Sequence, residues 1–567
     1  MKPGSDFFNR SLNVAQRFLQ TAVVIDDRAF VQEEIAEPIP HPLPSPPRPS
    51  TVSTEDMGSR AEPQGEVEKV KPTAIPDPNP HSLDAETIIE SFAKVGIVCS
   101  VLKRVPYQNP AEVGTAQELF EPADILIIDW QTRRSDGSDS HAETLDFLGT
   151  AVTDSTRATP QQLRLVIVYT GAIDLIDVAT QVGAKIENAI CTAPKKDGEF
   201  AFELGPIRVV VIGKPSNKRT QECQTQQVDN DTDLARRAVS EFAIMTAGLV
   251  SNVALDAMAE IRRATHRILT RFSSHLDAPF LTHRALLSPP SAGNSQLVPL
   301  IVSELEAVLD DKLNSDLLSD DAVRDWLKIQ GNPLAFVGNA PHLTTEAYAR
   351  QAVDDICIKG VHEHESFAVP NEPTWVKQLA EDKQVDKLIQ LTNLIAAGNV
   401  GQANEKFEAL MSLRARYCGG PPMLSLGTIL KSSDDEGDKF WLCMQPACDC
   451  YIRSDGPKRH FPLLLTRVVE QRFNLLAEDD GAFLRLRWDA KPYKVRMELF
   501  EANSPARAVV SQAEGAKFYF DSASTGTRFW WVGELKFPQA QRVAQSLSSE
   551  AGRVGLTESE WLRRNAK

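Results

Sequence analysis

The chain has 567 residues, with 61 Lys plus Arg against 77 Asp plus Glu, for a formal net charge of −16. That length accommodates several domains with sizeable cores, while the acidic balance argues against general binding to nucleic acid or anionic membrane. Eight scattered cysteines do not make a disulfide framework. The most apolar helical stretch, Phe242–Leu255, is 14 residues long and lies between Glu241 and Asp256, too short to cross a bilayer. The segment Met1–Arg10 lacks the uninterrupted apolar run of a secretory signal. A cytoplasmic protein is expected.

In chain order, the first apolar run is Thr21-Ala-Val-Val-Ile25, closed by Asp26–Asp27. Residues 32–80 follow, with 12 prolines from Pro38 to Pro80 and few large apolar residues. Such a composition cannot bury enough surface to offset chain entropy and predicts a disordered or polyproline insertion. Asp129 closes Asp124-Ile-Leu-Ile-Ile128, and Thr170 closes the run Leu163–Tyr169. Residues 173–190 read as a helix, and a Lys-Asp-Gly turn within 193–202 predicts an extra hairpin. Lys214 then closes Ile207–Gly213.

Short, continuously apolar runs rich in β-branched residues read as strands buried on both faces, hence as a parallel sheet. Ligands of such sheets bind at the carboxyl ends of the strands, where Asp26, Asp27, Asp129, Thr170 and Lys214 all fall. A lone aspartate at a strand end is ordinarily a turn residue or helix cap. Four polar strand ends in one ordered set point instead to a single phosphate-handling site. A phosphoryl group in flight carries charge on its oxygens, so catalysis is mainly positioning and neutralisation. Asp129 is the candidate nucleophile, forming an acyl phosphate. Clustered carboxylates repel one another unless a cation sits among them, which assigns Asp26, Asp27 and Asp129 to magnesium. Thr170 offers a hydroxyl and Lys214 a compact positive charge to the phosphoryl oxygens.

On Asp26, Asp27, Asp129, Thr170, Lys214 and Pro215, roughly residues 20–230 resemble the receiver domains of bacterial two-component response regulators. The resemblance implies a flavodoxin-like, doubly wound α/β fold on a parallel five-stranded sheet, and phosphorylation of Asp129 by a sensor histidine kinase. It also implies a Mg2+ site completed by the backbone carbonyl of Gln131, and places Gln131 and Ala172 beside the bound phosphate. Two features depart from the family. From Asp27 to Asp129 is 102 residues, about double the usual spacing, and the position three before Lys214, commonly an aromatic that swings on phosphorylation, is Val211.

Beyond this region, the polar stretch 214–232 reads as a linker, followed by one long helix from about Asp233 to Phe272. Further helical periodicities run over Leu297–Leu309, Asp320–Leu327, Thr345–Ile358 and Trp375–Leu413. After Tyr417–Pro422 the pattern turns to alternating strands, including Phe440–Met444, Phe483–Trp488 and Tyr493–Phe500, and a capped helix is expected from Thr557. The expected layout is multidomain: a receiver over 1–230, a mainly helical region over 231–416, and an α+β, mostly antiparallel domain over 417–567. Cys443, Cys448 and Cys450, with His460 nearby, lack the paired spacing of a zinc site and read as packing residues. His362-Glu-His-Glu365 reads as a polar loop. The basic residues of Arg485–Arg496 and Arg563-Arg564 read as solvated faces. No P-loop, dinucleotide fingerprint or nucleophile elbow occurs after residue 232. The phrases Leu424-Ser-Leu-Gly-Thr and Leu442-Cys-Met-Gln-Pro-Ala-Cys are similar to the partner domain of atypical receivers in phage-defence two-component operons, including Detocs-type systems.

The expected function is therefore two-component signalling, through protein contacts or as a phosphate sink, with no enzymatic activity beyond assisting its own phosphorylation and dephosphorylation. Alternatives are a phosphorylation-controlled transcription regulator and an effector enzyme, each with its output in residues 231–567. The expected partner is a sensor histidine kinase, with a second response regulator or a second copy of the chain as further candidates.

Overall fold

The computed structural model describes residues 4–30, 83–102, 122–133, 139–157, 161–287, 290–329, 354, 357–360, 400–417, 420–446, 449–450, 456–470, 472–504 and 507–551. The insertion 32–80, Cys448, the loop His362–Glu365 and the helix from Thr557 lie outside them, as do most of Thr345–Ile358 and Trp375–Leu413. The described chain divides into two compact units, residues 15–246 and residues 1–14 with 247–567.

The first unit is built on strands β1 (Thr21–Ile25), β4 (Val98–Leu102), β5 (Ile125–Asp129), β8 (Arg164–Thr170) and β11 (Ile207–Gly213), all parallel, in the order β4-β1-β5-β8-β11. Two two-residue pairs, β2 (Ala29–Phe30) with β3 (Leu83–Asp84) and β6 (Thr132–Arg133) with β7 (Asp139–Ser140), lie off this sheet. The hairpin expected within 193–202 forms as β9 (Lys195–Lys196) and β10 (Ala201–Leu204), and β10 pairs antiparallel with β11. The hairpin extends the five-stranded sheet to seven and covers the β11 edge. Every residue of β5, β8 and β11 is buried, which accounts for the continuous apolar stretches Ile125–Ile128, Leu165–Val168 and Val209–Ile212 within them.

Because side chains alternate across a strand, Val23 and Ile25, Leu126 and Ile128, Val166 and Val168, and Val209 and Val211 line one face. The helices Ala142–Arg157 and Leu175–Ile190 cover that face through Leu148, Val152, Val178, Val182 and Ile186. Each such side chain removed from water contributes about 1.5–3 kcal/mol. The second of these helices starts at Asp174, whose side chain accepts hydrogen bonds from the amides of Ile176 and Asp177, both at 3.0 Å. Helix Leu234–Thr246 belongs to the same unit. Phe242 on this helix stacks on Phe18 at 5.8 Å, and buried Glu241 pairs with Arg208 of β11 at 2.9 Å.

The long helix expected over Asp233–Phe272 is instead two, Leu234–Thr246 and Leu249–Arg271. The chain becomes extended at Gly248 (φ −178°, ψ 158°), a residue that gives up more conformational entropy than any other in a helix. The expected helices at Leu297–Leu309 and Asp320–Leu327 are present as Asn294–Lys312 and Asp320–Ile329.

Among its described residues the second unit also holds nine antiparallel strands: β12 (Thr428–Asp434), β13 (Gly437–Cys443), β14 (Lys458–Val468), β15 (Leu475–Asp479), β16 (Ala482–Trp488), β17 (Val495–Glu501), β18 (Gln512–Glu514), β19 (Lys517–Asp521) and β20 (Arg528–Glu534). Their order is β15-β16-β14-β13-β12-β20-β19-β18, with β17 added against β14. Alternate residues feed two apolar clusters. Ile429, Phe440, Leu442 and Leu464 enter one, and Leu430, Trp441, Cys443 and Leu463 enter the other. A helix that the sequence reading did not anticipate, Phe537–Ala551, contributes Ala540 and Val543 to the first.

Candidate functional site

The register of the parallel sheet lines up the polar strand ends. Ile25 of β1 is opposite Ile128 of β5, so Asp26 follows next to Asp129. Asp129 is opposite Tyr169, and Thr170 is opposite Gly213, the residue before Lys214. Parallel strands that end together present these side chains at one edge of the sheet. Oxygens of Asp26, Asp27 and Asp129 lie within 4.8 Å of one another.

Lys214 provides the internal counter-charge. Its Nζ lies 2.8 Å from Asp129 Oδ1 and 2.9 Å from Asp26 Oδ2, and all three residues are at most 3% exposed. The remaining carboxylate oxygens accept backbone hydrogen bonds: Arg28 N donates to Asp26 Oδ1 at 2.8 Å and Gln131 N to Asp129 Oδ2 at 3.1 Å. Thr144 Oγ1 donates to the Asp129 carbonyl at 2.9 Å, fixing the strand end behind the carboxylate. Thr170 Oγ1 accepts from Ala172 N at 3.0 Å, which orients the hydroxyl and leaves its proton for another acceptor.

Burial pushes the Asp129 carboxyl up to about 7, opposed by Lys214 and reinforced by Asp26 and Asp27. Burial alone would lower the Lys214 ammonium, but Asp129 and Asp26 outweigh it and hold it above the ordinary lysine value. The Lys214 ammonium is thus shared by two buried carboxylates, with the Asp27 carboxylate clustered beside them.

The residues present fit a hard divalent cation. Three carboxylates converge, and Gln131, whose amide donates to Asp129, has a buried side-chain oxygen with no hydrogen-bond partner among the described residues. No other group of three potential ligands occurs among the described residues. Cys443 and Cys450 are buried, and the Cys450 thiol contacts the Pro446 carbonyl at 3.3 Å.

The segment after Lys214 carries no sign of its fold in its composition. Residues 214–232, expected as a linker, fold back onto the sheet. Gly213 N donates to Gln226 O, and Val228 N donates to Gly213 O, both at 3.1 Å, so that Gly213 and Gln227 form a parallel bridge. Within this segment Arg219 is buried against the carbonyls of Thr170, Ala172 and Lys214. Asp231 accepts a hydrogen bond from the hydroxyl of buried Tyr169. Polar composition gave no signal of this, because these residues are satisfied by partners distant in sequence. Val211 is buried in the sheet core, and its amide donates to Phe200 O of the hairpin at 2.9 Å.

The family profile described as a response receiver domain matches residues 18–219. No curated protein and no solved structure matches the chain. The sheet order, the convergence of polar strand ends and this match agree: residues 18–219 of the chain are a response-regulator receiver domain.

Proposed function

We propose that Asp129 accepts a phosphoryl group from a sensor histidine kinase in a Mg2+-dependent reaction. The observation that carries this reading is the placement of Asp129, a buried carboxylate 2.8 Å from Lys214 and clustered with Asp26 and Asp27 at the sheet edge. An Asp129 oxygen bonds to phosphorus while the bond from phosphorus to the kinase histidine nitrogen breaks, and that nitrogen keeps the electron pair. Asp26, Asp27, Asp129 and Gln131 would hold the magnesium, which when bound neutralises charge on the carboxylates and the phosphoryl oxygens. Lys214 then exchanges part of its contact with the carboxylates for the transferred group, and the Thr170 hydroxyl donates to a phosphoryl oxygen.

The chain signals through protein contacts or as a phosphate sink, and is not an enzyme beyond assisting its own modification. Two features support this over a conventional aromatic switch: Val211 is locked in the core, and the hairpin β9–β10 covers the sheet edge on the side through which receivers ordinarily transmit. A role in phage defence rests on the likeness of the Leu424 and Leu442 phrases, and loss of phage protection on deleting the chain from its host is its test. The phosphoryl reading is tested by transfer from a labelled, autophosphorylated kinase. Label should pass to the wild type with Mg2+ and not in EDTA or to Asp129→Asn; transfer that persists in Asp129→Asn rejects the assignment.

A further inference from the structure

Thr170 and Lys214 sit on two neighbouring strand ends, and one buried side chain ties those ends together. Arg219 is 4% exposed. Its Nε donates to Ala172 O at 2.9 Å, its Nη2 to Thr170 O at 3.0 Å, and its Nη1 to both Lys214 O and Gln227 Oε1, the latter at 2.6 Å. Four donations leave little of the five-donor fork unused, and the planar fork fixes the relative positions of everything it touches. A lysine, with one ammonium on a flexible stem, cannot span the same set.

The surrounding sequence makes room for the guanidinium. A Cβ on Gly213 would stand 2.7 Å from Arg219 Nη1, 2.8 Å from Cζ and 3.0 Å from Gln227 Cβ. The glycine immediately before Lys214 is therefore the only residue that lets Arg219 lie flat against the end of β11. Burial lowers the Arg219 guanidinium, and among the described residues no carboxylate pairs with it. Its hydrogens are satisfied by carbonyl dipoles, but its charge is not cancelled, an expensive arrangement for an interior cation. That charge lies against the backbone of Thr170 and of Lys214, whose ammonium contacts Asp129.

We propose that Arg219 is a positioning residue for phosphoryl transfer to Asp129. It fixes the Thr170 and Lys214 carbonyls, so that the hydroxyl and the ammonium are presented to the same carboxylate, and its uncancelled charge favours the added phosphoryl anion. This inference rests on the reading of Asp129 as the acceptor. With acetyl phosphate as donor, an Asp129 oxygen bonds to phosphorus, the bond from phosphorus to the acetate oxygen breaks, and acetate leaves with the electron pair. Arg219 exchanges no proton in this step.

The test compares full-length wild type, Arg219→Lys and Arg219→Gln by two readouts, Mg2+ binding alone by calorimetry and the rate of phosphorylation by acetyl phosphate. The metal-binding carboxylates follow β1 and end β5, whereas Arg219 ties the ends of β8 and β11. Both variants should therefore bind Mg2+ as the wild type does yet phosphorylate about 10–100-fold more slowly, with Arg219→Lys the less impaired because it keeps the charge. Wild-type rates in both variants overturn the proposal. So does a parallel fall of Mg2+ affinity and rate, which would mark a purely structural role. Should melting curves show that Arg219→Gln does not fold, Arg219→Lys decides by the same two readouts. A wild type that takes no phosphate from acetyl phosphate removes the acceptor reading itself, an outcome distinct from unequal effects in the variants.

Discussion

Lys214 and Asp129 stand 2.8 Å apart, ammonium to carboxylate, at the ends of two strands separated in the sheet by β8. The same ammonium is 2.9 Å from Asp26, so one side chain holds two buried carboxylates together. Replacing it removes the only charge compensation that the described residues give this pair. Lys214→Met should destabilise the protein by about 3–5 kcal/mol in EDTA, the usual cost of breaking a buried ion pair from one side. Mg2+ should restore part of the loss, because a divalent cation bound to the folded state supplies the missing charge. Denaturant titrations with and without Mg2+ measure both effects, and an equal loss in the two conditions would contradict this account of the site.

The raised Asp129 carboxyl gives a pH dependence whose sign is set by burial. Its folded-state value of about 7 lies above the ordinary 3.8, so folding takes up a proton between those values. The native state then binds more protons than the unfolded state, and the contribution of this group to stability falls as pH rises through that window. In EDTA, melting temperatures measured from pH 5 to 8 should therefore fall more steeply for wild type than for Asp129→Asn, which lacks the titrating group. Parallel curves would show that Asp129 is not held in this environment.

Glu241 ties helix Leu234–Thr246 to the sheet. It pairs with Arg208 at 2.9 Å and with Arg237 at 2.9 Å, and it is 3% exposed. Glu241→Ala leaves the buried Arg208 with the exposed Asp197 and the half-buried Glu203, and should cost about 3–5 kcal/mol. Hydrogen exchange should show the loss concentrated in residues 234–246. Unchanged protection there would mean that the ion pair does not anchor the helix.

The strand ends were legible in the sequence because burial on both faces leaves a distinctive trace. Val23, Ile127, Ile167 and Val210 each have apolar residues on both sides, so Asp26, Asp129, Thr170 and Lys214 stand out as the points where the apolar stretches stop. The hairpin was legible for a different reason, since the Lys-Asp-Gly turn places Gly198 at φ +75° between β9 and β10. What escaped was polar and long-range. Arg219, Gln226 and Gln227 look like linker residues in one dimension because their partners, Thr170, Val211 and Lys214, are carried by the strands they fold back onto. Helix Phe537–Ala551 escaped because its fully buried residues, Ala540 and Val543, are small, while its large Phe537 is exposed.

The most direct measurement is the intact mass of the full chain after incubation with acetyl phosphate and Mg2+. The account predicts that wild type gains one phosphoryl group, that EDTA prevents the gain, and that Asp129→Asn gains none. Unmodified wild type, or an undiminished gain in Asp129→Asn, would contradict it.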